Sequence, residues 1–463
     1  MEHFIIRLNS TVWGVPALAM ILGVGIYLTV RLRFAQITLF PAAFRCFLRK
    51  LFSANGSDGR SSFRALCTAL AATVGTGNLV GVAGAICLGG PGAVFWMWLC
   101  GVLGMVTKYT EALLSVRYRI RSGSGFSGGP MYIIRLALPE KLHFLAWIYA
   151  FFGMAASFGV GNATQINAVM TGLRACFQSY DGELTSAAQL VITSVLAFLI
   201  ALTLFGGVEF IGAAAERLIP FAALGYILLC MGVLTVRWQE IPRALHSIFL
   251  GAFSPKAVTG GMIGSAFLAL RLGCSRGVFT NEAGMGTAAI AHAGAENVHP
   301  AEQGLMGIME VFLDTIVICT LTALVILVSG VPVTYGTDAG GSLTTAAFSQ
   351  VYGGWAVLLL TAAMTLFAVA TVLGWGLYGA RCTQFLFGQK AWRTFALLQI
   401  PAVFAGAFLE TSAIWQLSEA LNGLMAIPNL ITLAVLAPEA VRLTKEYKNP
   451  VSGTGGGNYA DFY

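Results

Sequence analysis

The sequence predicts an all-α polytopic membrane protein with about eleven transmembrane helices. Three observations carry this. Apolar residues make up 57% of the 463 and charged residues 10%, against roughly 45–50% and about 25% in soluble domains. Apolar runs of roughly 20 residues, the length that crosses a bilayer, recur along the chain. Two of those runs, Ala71 to Ala85 and Val258 to Ala293, are interrupted by glycine. The net charge of +7 does not point to nucleic acid, because the basic residues cluster beside apolar segments, where membrane orientation explains them. The nine cysteines are scattered with no CxxC or metal-type spacing, so they read as small buried apolar residues.

The first span covers residues 12–31, and no small-residue cleavage site follows it, so it is expected to be retained. A basic, partly amphipathic connector comes next, with Arg31, Arg33, Arg45, Arg49, Lys50, Arg60 and Arg64, and with Pro41 at a helix start. The second span, 63–88, contains AATVGTGNLVGVAGA, where Gly75, Gly77, Gly81 and Gly84 alternate with Thr73, Thr76 and Asn78. A membrane helix has no water for its backbone, so unwinding is tolerated only where the freed groups line a cavity or hold a ligand. Close helix packing through Gly77-x-x-x-Gly81 fits the same residues. The local sequence leaves both readings open.

GlyGlyProGly (89–92) turns the chain into the third span, 93–117, which carries Lys108 and Glu111 as an i,i+3 ion pair. A polar loop with Gly128-Gly129-Pro130 leads to spans near 143–173, 187–206 and 210–235. A semi-polar connector, 236–256, precedes the second unusual region. That region, 258–293, holds seven glycines together with Arg271, Arg276, Asn281 and Glu282. Spans near 305–329, 353–386, 393–409 and 413–437 complete the count, and the Gly-rich tail after Pro450 is expected to be disordered.

Loops after the first, third and ninth spans are basic, as is the tail with Arg442, Lys445 and Lys448. Those after the second, eighth and tenth lack Lys and Arg. This places the N-terminus outside and the C-terminus inside. The connector with Arg237, Arg243 and Lys256 argues the other way. Each glycine-broken segment has about four spans behind it. Paired broken segments at corresponding places point to an inverted-repeat transporter with its site between them.

The strings TVGTGNLVGVA (73–83), GGPGAVFWMW (89–98), SGGPMY (127–132), RGVFTNEAGMGTAAIAHA (276–293) and DTIVICTLTALVI (314–326) resemble the alanine or glycine:cation symporter family. The likeness runs through nearly the whole chain. It implies a LeuT-type 5+5 inverted repeat with one extra N-terminal helix. The expected organisation is an extra helix and basic cytoplasmic connector (1–61), a first five-helix repeat (62–235), a connector (236–256), a second repeat (257–437) and a cytoplasmic tail (438–463). It further implies sodium-coupled uptake of small neutral amino acids, alanine or glycine, across the plasma (inner) membrane. Sodium is the coupling ion and there is no other cofactor.

By the same resemblance, Thr76, Gly77 and Asn78 face the substrate's carboxylate, where a half-helix offers free N–H groups and the positive end of its dipole. Gln165 adds an amide, or alternatively makes an interhelical hydrogen bond. Gly277, backbone around Gly260–Gly264, Phe279 as an apolar wall and Trp375 complete the substrate site. Asn281 and Glu282 serve the gate or the pocket, with Arg276 a candidate partner for Glu282. Sodium is expected between carbonyls near Val74 and the Thr371 hydroxyl. The stretch Ala370-Thr371-Val372-Leu373-Gly374-Trp375-Gly376-Leu377 keeps Thr371 and Trp375 but departs from the family pattern at Ala370, Gly376, Leu377 and Ala380. The loss of a hydroxyl at 370 weakens the expected hold on a hard cation, and Gly376 enlarges the expected pocket beside Trp375.

Glu310 and Asp314 lie four apart in one span. A buried carboxylate there must be paired, solvated or protonated, so Asp314 is a candidate cation or proton site, with an interhelical tie as the plainer reading. Other functions remain as alternatives: proton-coupled symport, a non-transporting sensor, or a passive channel on the same scaffold. Catalysis is not expected. The one metal-like group, His292, Glu296 and His299, matches no metalloenzyme spacing.

Overall fold

A computed structural model describes residues 12, 14–52, 57–122, 125–260, 265–296, 299–337, 340–409 and 412–449. Two expectations fall outside them, the backbone of Gly261–Gly264 and the tail beyond residue 449. The described chain is helical throughout except for one small hairpin, as its composition requires.

In order, α1 (Val15–Arg31) is followed by a single turn (Ala35–Thr38), α2 (Phe40–Phe52) and α3 (Ser57–Thr73). Next come α4 (Val82–Gly89) and α5 (Ala93–Arg117). Strands β1 (Ile120–Ser122) and β2 (Gly125–Ser127) pair antiparallel, with Arg121 opposite Phe126. Then follow α6 (Pro130–Ala137), α7 (Phe144–Phe158), α8 (Thr164–Gln178), α9 (Ser186–Phe205) and α10 (Gly207–Val236). The second half contains α11 (Ile241–Phe253), α12 (Pro255–Thr259), α13 (Ala266–Asn281), α14 (Thr287–His292), α15 (Pro300–Val311) and α16 (Thr320–Val328). It closes with α17 (Gly340–Tyr352), α18 (Trp355–Phe387), α19 (Trp392–Phe408) and α20 (Ser412–Lys448).

Seven described segments are long and apolar enough to cross a bilayer, and 61–73 with 77–89, bent by 52°, makes an eighth. Three shorter elements, α1, α12–α13 and α19, occupy the places of the other spans read from the sequence. Among the described residues of the glycine-rich region 258–293 are the end of α12, then α13 and α14, the last two joined by a turn at 282–286.

Large apolar side chains point outward along α9 and α10, among them Val191, Phe198, Leu202, Phe221 and Leu228. A face of that kind is stable against lipid tails. Inside, one continuous apolar cluster runs through the bundle and a second joins α8, α9, α18 and α19. Backbones meet closely where side chains are absent. A β-carbon at Gly92 would run into the carbonyl carbon of Gly251, so the turn into α5 and the helix α11 touch main chain to main chain. Such contacts replace the hydrophobic drive that lipid does not supply between helices.

Candidate functional site

The helix that begins at Ser57 stops at Thr73 because Gly75 and Gly77 favour unwinding and Asn78 supplies a substitute partner. Asn78 Oδ1 accepts from the Gly75 N–H at 2.9 Å, and the Asn78 N–H returns to the Gly75 carbonyl at 3.2 Å. The helix resumes as a wide π-turn, Gly77–Gly81, before α4. Gly75 is required by a neighbour as well. A β-carbon there would stand 2.8 Å from Thr371 Oγ1 on α18. The break therefore lies directly against the Thr371 hydroxyl, which itself donates to the Phe367 carbonyl at 3.0 Å.

Two further π-turns converge here, and π-turns inside helices commonly mark functional sites. Gly159–Ala163 joins α7 to α8, and Phe312–Cys319 joins α15 to α16. Gln165, just after the first of these, donates to the Val160 carbonyl at 3.0 Å, and its Oε1 accepts from the Thr76 hydroxyl at 3.1 Å. Asp314, in the second, accepts from Asn78 Nδ2 at 2.7 Å and from the Thr315 hydroxyl at 2.9 Å. Asn281 Nδ2 donates to Thr315 Oγ1 at 3.0 Å. Thus Thr76, Gln165 and Thr371 stand on one side of the break, while Asp314, Thr315 and Asn281 stand on the other. Asn78 lies between them, and all are buried.

Phe279 lies beside the break. The α-carbon of Gly77 faces its ring and the Thr280 methyl, with a β-carbon at 77 reaching Phe279 Cδ1 at 3.5 Å. Val74 is buried at the end of the first half-helix. Gly277 instead faces Met97 and Cys100 on α5, a packing contact. Trp375 turns its indole N–H to Glu282 Oε1 at 2.9 Å. Arg276 does not partner Glu282; it pairs with Glu419 at 3.2 Å. A β-carbon at Gly376 would meet the Leu204 side chain on α9, and Gly376 and Leu204 both line the cavity described below, which Trp375 does not. Glu310 and Asp314, expected on one face, are separated by the onset of the π-turn and turn to different partners.

Beside this cluster lies a second, charged one that pins the Asn281-Glu282-Ala283-Gly284-Met285-Gly286 turn. Glu282 closes α13 in the left-handed conformation (φ 53°), followed by Gly284 (φ 93°) and Gly286 (φ 76°). Its second carboxylate oxygen accepts from Thr287 at 2.6 Å. Glu111 Oε1 accepts the N–H groups of Gly284 (2.9 Å) and Gly286 (3.1 Å) and the Asn429 amide (2.7 Å). Lys108 Nζ is 3.3 Å from Glu310 and 4.0 Å from Glu111, so the expected local pair is the weaker of its two contacts.

From Glu310 a chain of hydrogen bonds leads outward. His292 Nε2 meets Glu310 at 2.9 Å, and Gln303 Nε2 meets His292 Nδ1 at 2.7 Å. Gln303 Oε1 accepts from Ser62, and Lys50 donates to Ser62 at 2.7 Å. His299 turns elsewhere and caps α15 through the Ala301 N–H, so the His292–Glu296–His299 group does not assemble. Among the described residues no group of His, Cys, Asp and Glu suits a metal ion.

A cavity of about 620 Å³ opens at the end of the bundle where α3 starts and α18 finishes. Arg64, Thr68, Leu204, Glu209, Gly376 and Arg381 are among its lining residues. The break residues themselves are not among them.

The profile of the sodium:alanine symporter family matches residues 1–455. The chain belongs to that family. It is 42% identical to the sodium/alanine symporter AgcS of Methanococcus maripaludis over 448 residues, 95% of each chain. It is 32% identical to the putative sodium/proton-dependent alanine carrier protein YrbD of Bacillus subtilis, covering 97% of this chain and 93% of that one. The crystal structure of MhsT in complex with L-phenylalanine superposes with a TM-score of 0.53 at 14% identity, over 82% of this chain and 97% of MhsT. That likeness establishes the LeuT-type fold.

The sequence missed several members of the site. Thr280, Thr315 and Cys319 are apolar-compatible residues inside apolar runs and carry no pattern of their own. Beyond Gly77–Gly81, the π-turns have no sequence signature except Gly159-Val-Gly161.

Proposed function

We propose that this chain is a sodium-coupled symporter of small neutral amino acids, alanine first among them, working by alternating access. The observation that carries the reading is the break at Val74–Gly75 and the π-turn that follows it, at which a hydroxyl from α18, an amide from α8 and a carboxylate from the 312–319 turn all meet. In this reading the substrate carboxylate lies against the N–H groups and hydroxyl of Thr76, Gly77 and Asn78, with Gln165 beside it and Phe279 as the apolar wall. Sodium takes the Val74 carbonyl and the Thr371 hydroxyl, oxygen donors of the kind a hard cation selects. Each inward charge gains ~2.3 kcal/mol per 100 mV of membrane potential, which drives accumulation without covalent chemistry.

The two repeats run over 62–235 and 257–437, after an N-terminal extra helix and its connector. The N-terminus lies outside and the tail in the cytoplasm of a cell bounded by a plasma (inner) membrane. Asn281 and Glu282 act at the gate: Glu282 joins α13 to α18 through Trp375, so parting these helices must break that bond.

One observation favours a second reading, proton linkage through Asp314. This carboxylate touches Asn78, the residue that holds the break together, and YrbD is named for protons as well as sodium.

The deciding experiment is uptake of labelled alanine into proteoliposomes under an imposed inward sodium gradient, with choline as control. Sodium-dependent accumulation above equilibrium is the expected result. Uptake that ignores sodium but follows a proton gradient would replace sodium with Asp314-linked protons. Equilibration without accumulation would make the chain a passive channel, and saturable binding without flux would make it a sensor.

A further inference from the structure

We infer that α2 and the turn before it form a docking surface for the headgroup of an anionic phospholipid. The stretch 31–52 carries Arg31, Arg33, Arg45, Arg49 and Lys50 and no acidic residue. Two successive left-handed residues, Arg33 (φ 54°) and Phe34 (φ 56°), follow the end of α1 and lead into the single turn Ala35–Thr38 that precedes α2. Neither is glycine, so this sharp turn is held against its own backbone preference. The Phe34 N–H closes it on the Thr29 carbonyl at 2.8 Å.

Along α2, Ala43, Cys46 and Lys50 face inward at helical spacing, while Phe44, Arg45, Arg49, Leu51 and Phe52 face outward. Phe34, Ile37 and Phe52 are 53%, 61% and 78% exposed. Phenyl rings and guanidinium groups sharing one outer face suit a membrane interface, rings in the acyl boundary and cations at the phosphates. The surface is continuous with the outward residues of α1, Ile26, Tyr27 and Val30, which places it at the rim of a bilayer-spanning helix and not on a protein-facing side.

The basic residues divide by task. Arg49 pairs with Glu302 at 2.7 Å, and Lys50 is buried on Ser62. Arg31, Arg33 and Arg45 meet no carboxylate among the described residues. Arg31 lies over the Tyr27 ring, and Arg45 Nε returns to the Pro41 carbonyl at 3.2 Å, which leaves the terminal nitrogens of its guanidinium for an anion. These three are the headgroup ligands. Through Lys50–Ser62 and Arg49–Glu302 the bound lipid clamps α2 onto the first half of the broken helix and onto α15.

The purified full chain in detergent is titrated with short-chain phosphatidylglycerol, with phosphatidylcholine of equal chain length, and with inorganic phosphate, reading the melting temperature. Phosphatidylglycerol alone should raise it. The triple variant Arg31→Gln, Arg33→Gln, Arg45→Gln should melt like the parent without lipid and lose roughly a hundredfold in apparent affinity, at about fivefold per charge. Should the triple variant not fold, Arg45→Gln alone should show the fivefold loss. Equal stabilisation by phosphatidylcholine would reduce the effect to acyl chains and overturn the headgroup site. Equal stabilisation by inorganic phosphate would make it an anion site without a lipid, and unchanged affinity in the variants would place the headgroup elsewhere. Either result also overturns the proposal.

Discussion

A single missing methyl group decides the geometry of the break. Gly75→Ala would place its β-carbon 2.8 Å from Thr371 Oγ1, an overpacking that costs about 1–3 kcal/mol in a tight interior. Apparent sodium affinity in proteoliposome uptake should weaken about tenfold, which is the lower half of that range, and adding Thr371→Ala should not restore it, because the proposed cation site then loses its hydroxyl. Unchanged sodium dependence in Gly75→Ala would remove Thr371 from the cation site. Asn78→Ala deletes the bonds to the Gly75 N–H and to Asp314 together; alanine binding by calorimetry should disappear, and retained affinity would show that the break holds without it. Asp314→Asn should shift the pH or cation dependence of uptake, whereas a purely structural carboxylate predicts poor yield with coupling intact. Asn78, Gln165 and Asp314 were legible because amides and carboxylates inside an apolar run are conspicuous. Thr315 and Val160 were not, because they are ordinary in sequence and become notable only when a π-turn aims them.

Elements were legible to the extent that length and hydropathy define them. The third span, read as 93–117, forms as Ala93–Arg117. Breaks were legible only where glycine announced them, at 75–81 and 282–286. The turn at 312–319 contains no glycine and reads as uninterrupted membrane helix, so composition gave no hint of it. Small residues act differently according to what they face. Gly92→Ala would drive a β-carbon into the main chain of Gly251 and should lower the melting temperature of the purified protein sharply or abolish folded yield. Gly23→Ala, with nothing within 4 Å, should leave it unchanged or raise it, since alanine is favoured over glycine in a helix by roughly 0.5–1 kcal/mol. Equal effects at both positions would mean that backbone contact does not set this interface.

Across the whole molecule, α5, the 282–286 turn, α15 and α20 are fastened by one polar cluster that the sequence presented as separate charges. Lys108 Nζ stands at its centre, 3.3 Å from Glu310 and 4.0 Å from Glu111, and Lys108, Glu111 and Glu310 have no solvent exposure. Removing one partner of a buried pair typically costs about 3–5 kcal/mol, while apolar replacement of both is often tolerated. Lys108→Met should therefore melt far below the parent, and Lys108→Met with Glu310→Met should recover part of the loss. Additive losses in this double-mutant cycle would mean that the two groups do not interact. No spacing rule joins residues 202 positions apart, which is why only the Lys108–Glu111 contact was readable beforehand.

That separation has a cost in time. Lys108 enters the membrane on the third span, and Glu310 is not yet made. At roughly 5–20 residues per second, the ammonium waits between ten and forty seconds for its main counter-charge, with only Glu111, one helical turn away, to shield it. His292 and Gln303 arrive in the same late interval. The nascent first half is thus an incomplete salt, held open at its most polar point until the eighth span arrives, and a ribosome paused between the two halves would leave a product for the cell's membrane quality control to recognise.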